Sequence, residues 1–241
     1  MSAFSVVTVS ACSTANDSDP AISTTVTISA AASLNTAFTS LAERFEAEHP
    51  DIEIKVNFGG SGALAEQIAA GAPVDVFASA STFSMDQISN FVESPKTFAR
   101  NQLIVITPAA NTGQVTDYQS IQKVSTVVCT ESAPCGAAAQ KFLSKAGMTA
   151  NIVSLEPDVK SVLNKVITDE ADAGIVYVTD AIAAGNEVVA FTIPPELNVT
   201  TDYQIALIKD SSTQNAAQEF LDFLLGPTGV DVLQSEGFMS P

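Results

Sequence analysis

From Val26 onward, short apolar runs alternate with stretches of helical periodicity. Val26-Thr27-Ile28-Ser29 predicts a strand. Leu34, Phe38, Leu41 and Phe45 then recur at the spacing of one helix face. Ile52 to Val56 alternates apolar and polar residues as a half-buried strand does. Gly59-Gly60-Ser61-Gly62 turns into a helix carrying Leu64, Ile68 and Ala69, and Val74 to Phe77 reads as a strand. Further strands are predicted at Leu103–Thr107, Val124–Cys129, Ile152-Val153, Gly174–Val178, Val188–Phe191 and Tyr203–Ile208. Further helices are predicted over Gly136–Ala146, around Val159, Val162, Leu163 and Val166, and along Ala216, Phe220, Phe223 and Leu224. Gly226-Pro227 stops that last stripe, and a final helix carries Val230 and Leu233. Strand and helix in alternation predict crossover units and a mainly parallel sheet. The count fits an α/β protein of two lobes of about one hundred residues each. The final strand and helices are too few for a third domain and are expected to complete the first lobe. The predicted lobes are 25–101 with 203–241, and 102–202. The two chain crossings are placed near Asn101-Gln102 and Thr201-Asp202.

Composition narrows the function. The chain of 241 residues has 10 Lys+Arg against 27 Asp+Glu, a formal net charge of -17. Such a surface repels nucleic acid, which is bound by neutralising phosphates. With one histidine (His49) and no tryptophan, a multi-histidine metal site and a tryptophan cage are both excluded. Arginine occurs only at Arg44 and Arg100, so no arginine cluster is available for an anion.

The start, Met1 to Cys12, is small and apolar and ends in Val9-Ser10-Ala11-Cys12, followed by a polar stretch. It resembles the end of a bacterial lipoprotein signal, with Cys12 lipidated after cleavage at Ala11. Residues 1–24 are then a signal remnant and tether, and the protein is expected to be exported and lipid-anchored. The alternative is a buried N-terminal cysteine. No later apolar run approaches the ~20 residues of a membrane helix. Cys129 and Cys135 lie six residues apart around a Ser-Ala-Pro turn. Export permits a disulfide between them; two buried free thiols are the alternative.

Several strand-to-helix junctions share one design: Ala31-Ala32-Ser33-Leu34, Gly60-Ser61-Gly62-Ala63 and Pro134-Cys135-Gly136-Ala137, with Pro157-Asp158-Val159-Lys160 opening a helix after a proline. Helix starts present unpaired N–H groups and partial positive charge, which makes them anion sites. Any single serine there is first of all an N-cap, and Tyr177, in an apolar strand, is first of all a core residue with a satisfied hydroxyl. The Gly59–Gly62 run lacks the lysine and spacing of a phosphate loop.

Taken together the motifs are more specific. Ala30-Ala31-Ala32-Ser33-Leu34, Phe58 to Ile68, Gly71 to Phe77, Pro134-Cys135-Gly136, Pro157 to Lys160, Gly174 to Tyr177 with Asp180-Ala181, Leu225-Gly226-Pro227 and Glu236-Gly237-Phe238 occur in order over roughly residues 25 to 240. This set resembles the periplasmic molybdate-binding proteins, the capture components of molybdate ABC transporters. The resemblance implies two Rossmann-like lobes with a ligand cleft between them, the type II periplasmic binding protein fold. It implies that molybdate or tungstate is the ligand, with molybdenum present only as the oxyanion, no cofactor, and a membrane permease as partner of a monomeric binding protein. It implies hydroxyl and backbone donors at Ser33 and Ser61, backbone N–H donors at Cys135 and Val159, and the phenol of Tyr177. Cys135 stands where many members have alanine.

Such a site satisfies a desolvated dianion with neutral donors. It rejects an anion carrying a proton, because that proton finds no acceptor. Three other readings are weighed. Sulfate or phosphate would suit a similar cleft. Iron would want clustered Tyr, His or carboxylates; the only tyrosines are Tyr118, Tyr177 and Tyr203, and the only histidine, His49, sits in Glu48-His49-Pro50, which reads as surface. A cysteine enzyme would use Cys135 at a helix start, where thiol pKa values fall, but it needs a base, and His49 belongs to a different motif.

Overall fold

In the computed structural model, which describes residues 24–241, β1 (Thr24–Ala31) lies between β2 (Ile52–Gly59) and β3 (Val76–Ser79) and runs parallel to both. The proposed lipidation site Cys12 and most of the tether lie outside the described residues. A 3-10 turn (Ala32–Leu34) leads from β1 into α1 (Asn35–Glu48), and α2 (Ser61–Ala69) follows β2. After α3 (Thr82–Gln87) comes the longest strand, β4 (Val92–Pro108). The chain continues through β5 (Thr126–Cys129), α4 (Pro134–Ala146), β6 (Ile152–Glu156), α5 (Val159–Ile167), β7 (Ala173–Tyr177), α6 (Val178–Ala184) and β8 (Val188–Thr192). It ends with β9 (Thr200–Ile208), α7 (Gln214–Leu225) and α8 (Pro227–Ser235).

The strand order is β2-β1-β3-β9-β4-β7-β5-β6, with β8 against β4. β4 changes partners midway. Gln102 is still opposite Thr200 of β9, whereas Leu103 is opposite Tyr177 of β7. One strand thus belongs to two sheets, each with its own helices. Phe38, Phe45, Tyr203 and Phe220 pack in one core, Phe142, Val162, Val166 and Val176 in a second, and Leu64, Phe77 and Met85 in a smaller third. β9 pairs with β3, and α7 and α8 pack against the first core, so the C-terminal segment completes the N-terminal half.

The expected mainly parallel sheet is corrected. β1–β2, β1–β3, β5–β6 and β5–β7 are parallel, but β3–β9, β4–β7, β4–β8 and β4–β9 are antiparallel. Each half carries its crossover units, and the strands that link the halves run against them. The strand expected at Leu103–Thr107 is also only the end of β4, and Val178, expected to end a strand, opens α6.

Candidate functional site

Ser33, Ser61, Cys135, Val159 and Tyr177, spread over 145 positions of sequence, line one small cavity between the two halves. The cavity is small, with room for about one water in this structure. Each residue arrives at the end of a strand or the start of a helix. Ser33 sits in the 3-10 turn after β1, and Ser61 is the first residue of α2. Cys135 follows Pro134 in the first turn of α4, Val159 opens α5, and Tyr177 ends β7. N–H groups in these first turns have no intrahelical acceptor. The cavity therefore collects donors from both halves.

Neither serine caps a helix: the residues before α1 and α2 are Leu34 and Gly60, and neither helix has a side-chain cap. The Ser61 oxygen instead accepts the Ala80 N–H at 3.0 Å. Ser33 Oγ lies 2.8 Å from Tyr203 Oη, and both residues are buried. Asn101, at the crossing, donates from Nδ2 to Thr179 Oγ1 at 2.8 Å and makes a longer contact of 3.5 Å to Tyr203 Oη. The expectation of a satisfied Tyr177 hydroxyl is corrected. The side chain is 1% exposed, yet Oη has no hydrogen-bond partner. Burial raises its pKa well above the ordinary phenol value, so it remains a donor at neutral pH.

Behind Tyr177, the buried Asp180 carboxylate accepts the Tyr177 N–H at 3.2 Å and faces Lys160 Nζ at 3.2 Å. Burial raises the Asp180 pKa, and the Lys160 charge opposes that rise. Lys160 is thus spent on Asp180. Asp158 also borders the cavity, but its carboxylate is committed to α5, accepting the Ser161 N–H at 2.9 Å. Among the described residues, no group of three His, Cys, Asp or Glu is arranged to hold a metal ion.

Cys129 and Cys135 form a disulfide with a Cα–Cα separation of 5.7 Å. Cys135 therefore carries no thiolate, and the cysteine-enzyme reading loses its nucleophile. His49 stacks on Phe45 at 4.2 Å and faces Glu219, far from any role as a base for Cys135. Gly136 lies so close to the Thr130 carbonyl that a Cβ would stand 1.9 Å from it. The Cys135 loop is therefore held from both sides.

The two halves meet closely around the Gly59–Gly62 run. A Cβ on Gly60 would stand 2.6 Å from the Pro157 carbonyl oxygen, and one on Gly62 would stand 2.9 Å from that of Ser132. Both carbonyls belong to the opposite half, so here the glycines are needed for close approach. Sequence reading missed Ala80, Tyr203 and Asn101 as supports of the serines. Tyr203 and Asn101 are polar residues inside an apolar strand and at a crossing; that was the available signal.

Residues 26–239 match the family described as bacterial extracellular solute-binding protein. The molybdate-binding protein ModA of Mycobacterium tuberculosis is 36% identical over 90% of this chain and 85% of its own length. The fold is shared with the periplasmic molybdate-binding protein of Azotobacter vinelandii, with a TM-score of 0.81 at 22% identity over 90% of this chain and 99% of that one. It is shared also with the sulfate-binding protein SubI of M. tuberculosis, with a TM-score of 0.78 at 15% identity over 90% of this chain and 87% of that one. With two α/β halves, a cavity of converging neutral donors and these similarities, the chain belongs to the bacterial extracellular solute-binding proteins.

Proposed function

We propose that this protein captures molybdate outside the cytoplasmic membrane and delivers it to an ABC permease. The observation that carries this reading is the cavity itself, where Ser33, Ser61, Cys135, Val159 and Tyr177 converge and the Tyr177 hydroxyl is buried without a partner. The sequence similarity to ModA over nearly the whole chain supports molybdate over sulfate. Tungstate, with the same charge and shape, is expected to bind as well.

In this reading the serine hydroxyls, the Tyr177 phenol and the first-turn N–H groups donate to the four oxygens. Neutral donors compensate the dianion's lost hydration, as a buried charge requires. Helix-start dipoles add favourable potential at short range. The lobes are taken as 25–101 with 203–241 and 102–202, closing about the paired crossing strands β4 and β9. The protein acts by binding alone, as a monomer. Anchoring through a lipid on Cys12 remains part of the proposal.

Calorimetry with molybdate, tungstate, sulfate and hydrogen phosphate tests the reading. Heat with the first two and little with the others is expected. Absence of heat with molybdate, or equal affinity for sulfate, overturns it.

A further inference from the structure

A serine hydroxyl can donate or accept, so a site that needs donors must fix which it does. At Ser61 this is settled locally. The Ala80 N–H can only donate, it occupies the Ser61 oxygen, and the Ser61 proton is left for the cavity. At Ser33 the partner is another hydroxyl, Tyr203 Oη at 2.8 Å, and either could be the donor.

We propose that Asn101 sets the direction of this hydrogen bond through Tyr203, and so makes Ser33 an obligate donor to the ligand. Asn101 is 1% exposed, and its amide orientation is fixed. The Gln102 N–H donates to Oδ1 at 2.9 Å, so the NH₂ group must face the other way. That group donates to Thr179 Oγ1 at 2.8 Å and points its second proton along the 3.5 Å contact to Tyr203 Oη. With a donor on its oxygen, Tyr203 turns its own proton to Ser33. The Ser33 oxygen then accepts, and its proton is directed into the cavity. The Tyr203 ring is held for this by edge-on packing against Phe98, Tyr177 and Phe238. Asn101 and Tyr203 are thus positioning residues that act through Ser33. Their effect is on affinity and on specificity: with its proton directed to the ligand and one lone pair taken by Tyr203, Ser33 is a poorer acceptor for a protonated oxyanion.

This rests on the proposed oxyanion reading, and the experiment separates the two. Molybdate and hydrogen phosphate are titrated at one neutral pH into the unsubstituted protein, Tyr203→Phe, Ser33→Ala and the double variant, with folding checked by thermal melting. Tyr203→Phe is expected to weaken molybdate binding about tenfold, the size of one neutral hydrogen bond. It is also expected to narrow the preference over hydrogen phosphate. In the Ser33→Ala background the same substitution is expected to change neither quantity, because its route to the ligand is gone. Asn101→Asp provides a second cycle. It keeps the shape but replaces the donor with an acceptor, and the cost of its added charge is common to both backgrounds and cancels. Its extra loss is expected only when Ser33 is present. Additive losses in both cycles, or unchanged affinity and preference in Tyr203→Phe, overturn the relay. If the unsubstituted protein binds no molybdate, the functional reading fails instead.

Discussion

Ser61 receives the Ala80 N–H from behind, whereas the Tyr177 hydroxyl receives nothing. Their removal should therefore differ in kind. Tyr177→Phe should cost about 1.5–3 kcal/mol of molybdate binding, the range for a hydrogen bond to a charged group. It should leave the ligand-free melting temperature unchanged or slightly higher, since an unsatisfied buried hydroxyl disappears. Ser61→Ala should lose binding to a similar degree and also destabilise the free protein by about 1–3 kcal/mol, because it orphans a buried N–H. Calorimetry paired with denaturant unfolding of the free protein checks both. Equal stability losses in the two variants would contradict the assignment of partners. At this scale the candidate site was legible through the family resemblance, which implies Ser33, Ser61, Cys135, Val159 and Tyr177, and these five meet in one cavity. Their supports were not, because the Ser33–Tyr203 bond spans 170 positions and leaves no local trace.

Among the elements, those with strong periodicity were readable and those shaped by neighbours were not. α1 buries Phe38, Leu41 and Phe45, and α5 buries Val159, Val162, Leu163 and Val166, as the spacing requires. The first half of β4 escaped notice because Glu93 to Lys96 is exposed and includes Pro95, and its ladder shifts register between Glu93 and Lys96. α3 has only Ser84 and Met85 buried, too few to make a stripe. The start of α2 yields a sharper prediction. In Gly62→Ala the new methyl meets the Ser132 carbonyl oxygen of the other lobe at 2.9 Å, so backbone must give way where the lobes meet. That strain opposes the helix-propensity gain of about 1 kcal/mol. Molybdate affinity measured by calorimetry should fall, and unchanged affinity would mean that the lobes do not need this contact. The disulfide should matter in the same direction for stability and for binding. Replacing Cys129 and Cys135 together by Ala should lower the melting temperature, a disulfide typically contributing ~2–4 kcal/mol. It should also weaken binding by loosening the Cys135 N–H. At the end of β6, the hydrogen bonds from Lys165 and then Ser154 hold the Glu156 carboxyl below the usual carboxylate range. Its stabilising contribution is present above the unfolded carboxylate pKa and is lost as pH falls through the lower folded value. Glu156→Gln should therefore be less stable than the unsubstituted protein at neutral pH, and the gap should close in acid. Unfolding curves at several pH values check this.

For the whole molecule, a net charge of -17 and a dianionic ligand oppose each other only at long range. Surface charges are screened beyond about 8–10 Å at ordinary salt, whereas the site donors act at ~3 Å. Raising ionic strength should thus speed association with molybdate and leave dissociation nearly unchanged. Stopped-flow measurements at several salt concentrations read this directly, and an association rate that falls with salt would point to a local positive field instead.

The midway change of partners in β4 has a consequence for how the chain reaches this structure. Asn101 and Thr201 are opposite one another in the ladder. The sheet of lobe one therefore cannot be completed until two points about a hundred residues apart are brought together, and an unstructured loop of that length opposes closure entropically. Lobe two is one continuous stretch, and once folded it presents its own two ends side by side. It thereby turns a long-range closure into a local one. Lobe two is expected to fold first, and to fold when expressed alone, while the first hundred residues wait for β9 to come back beside β3.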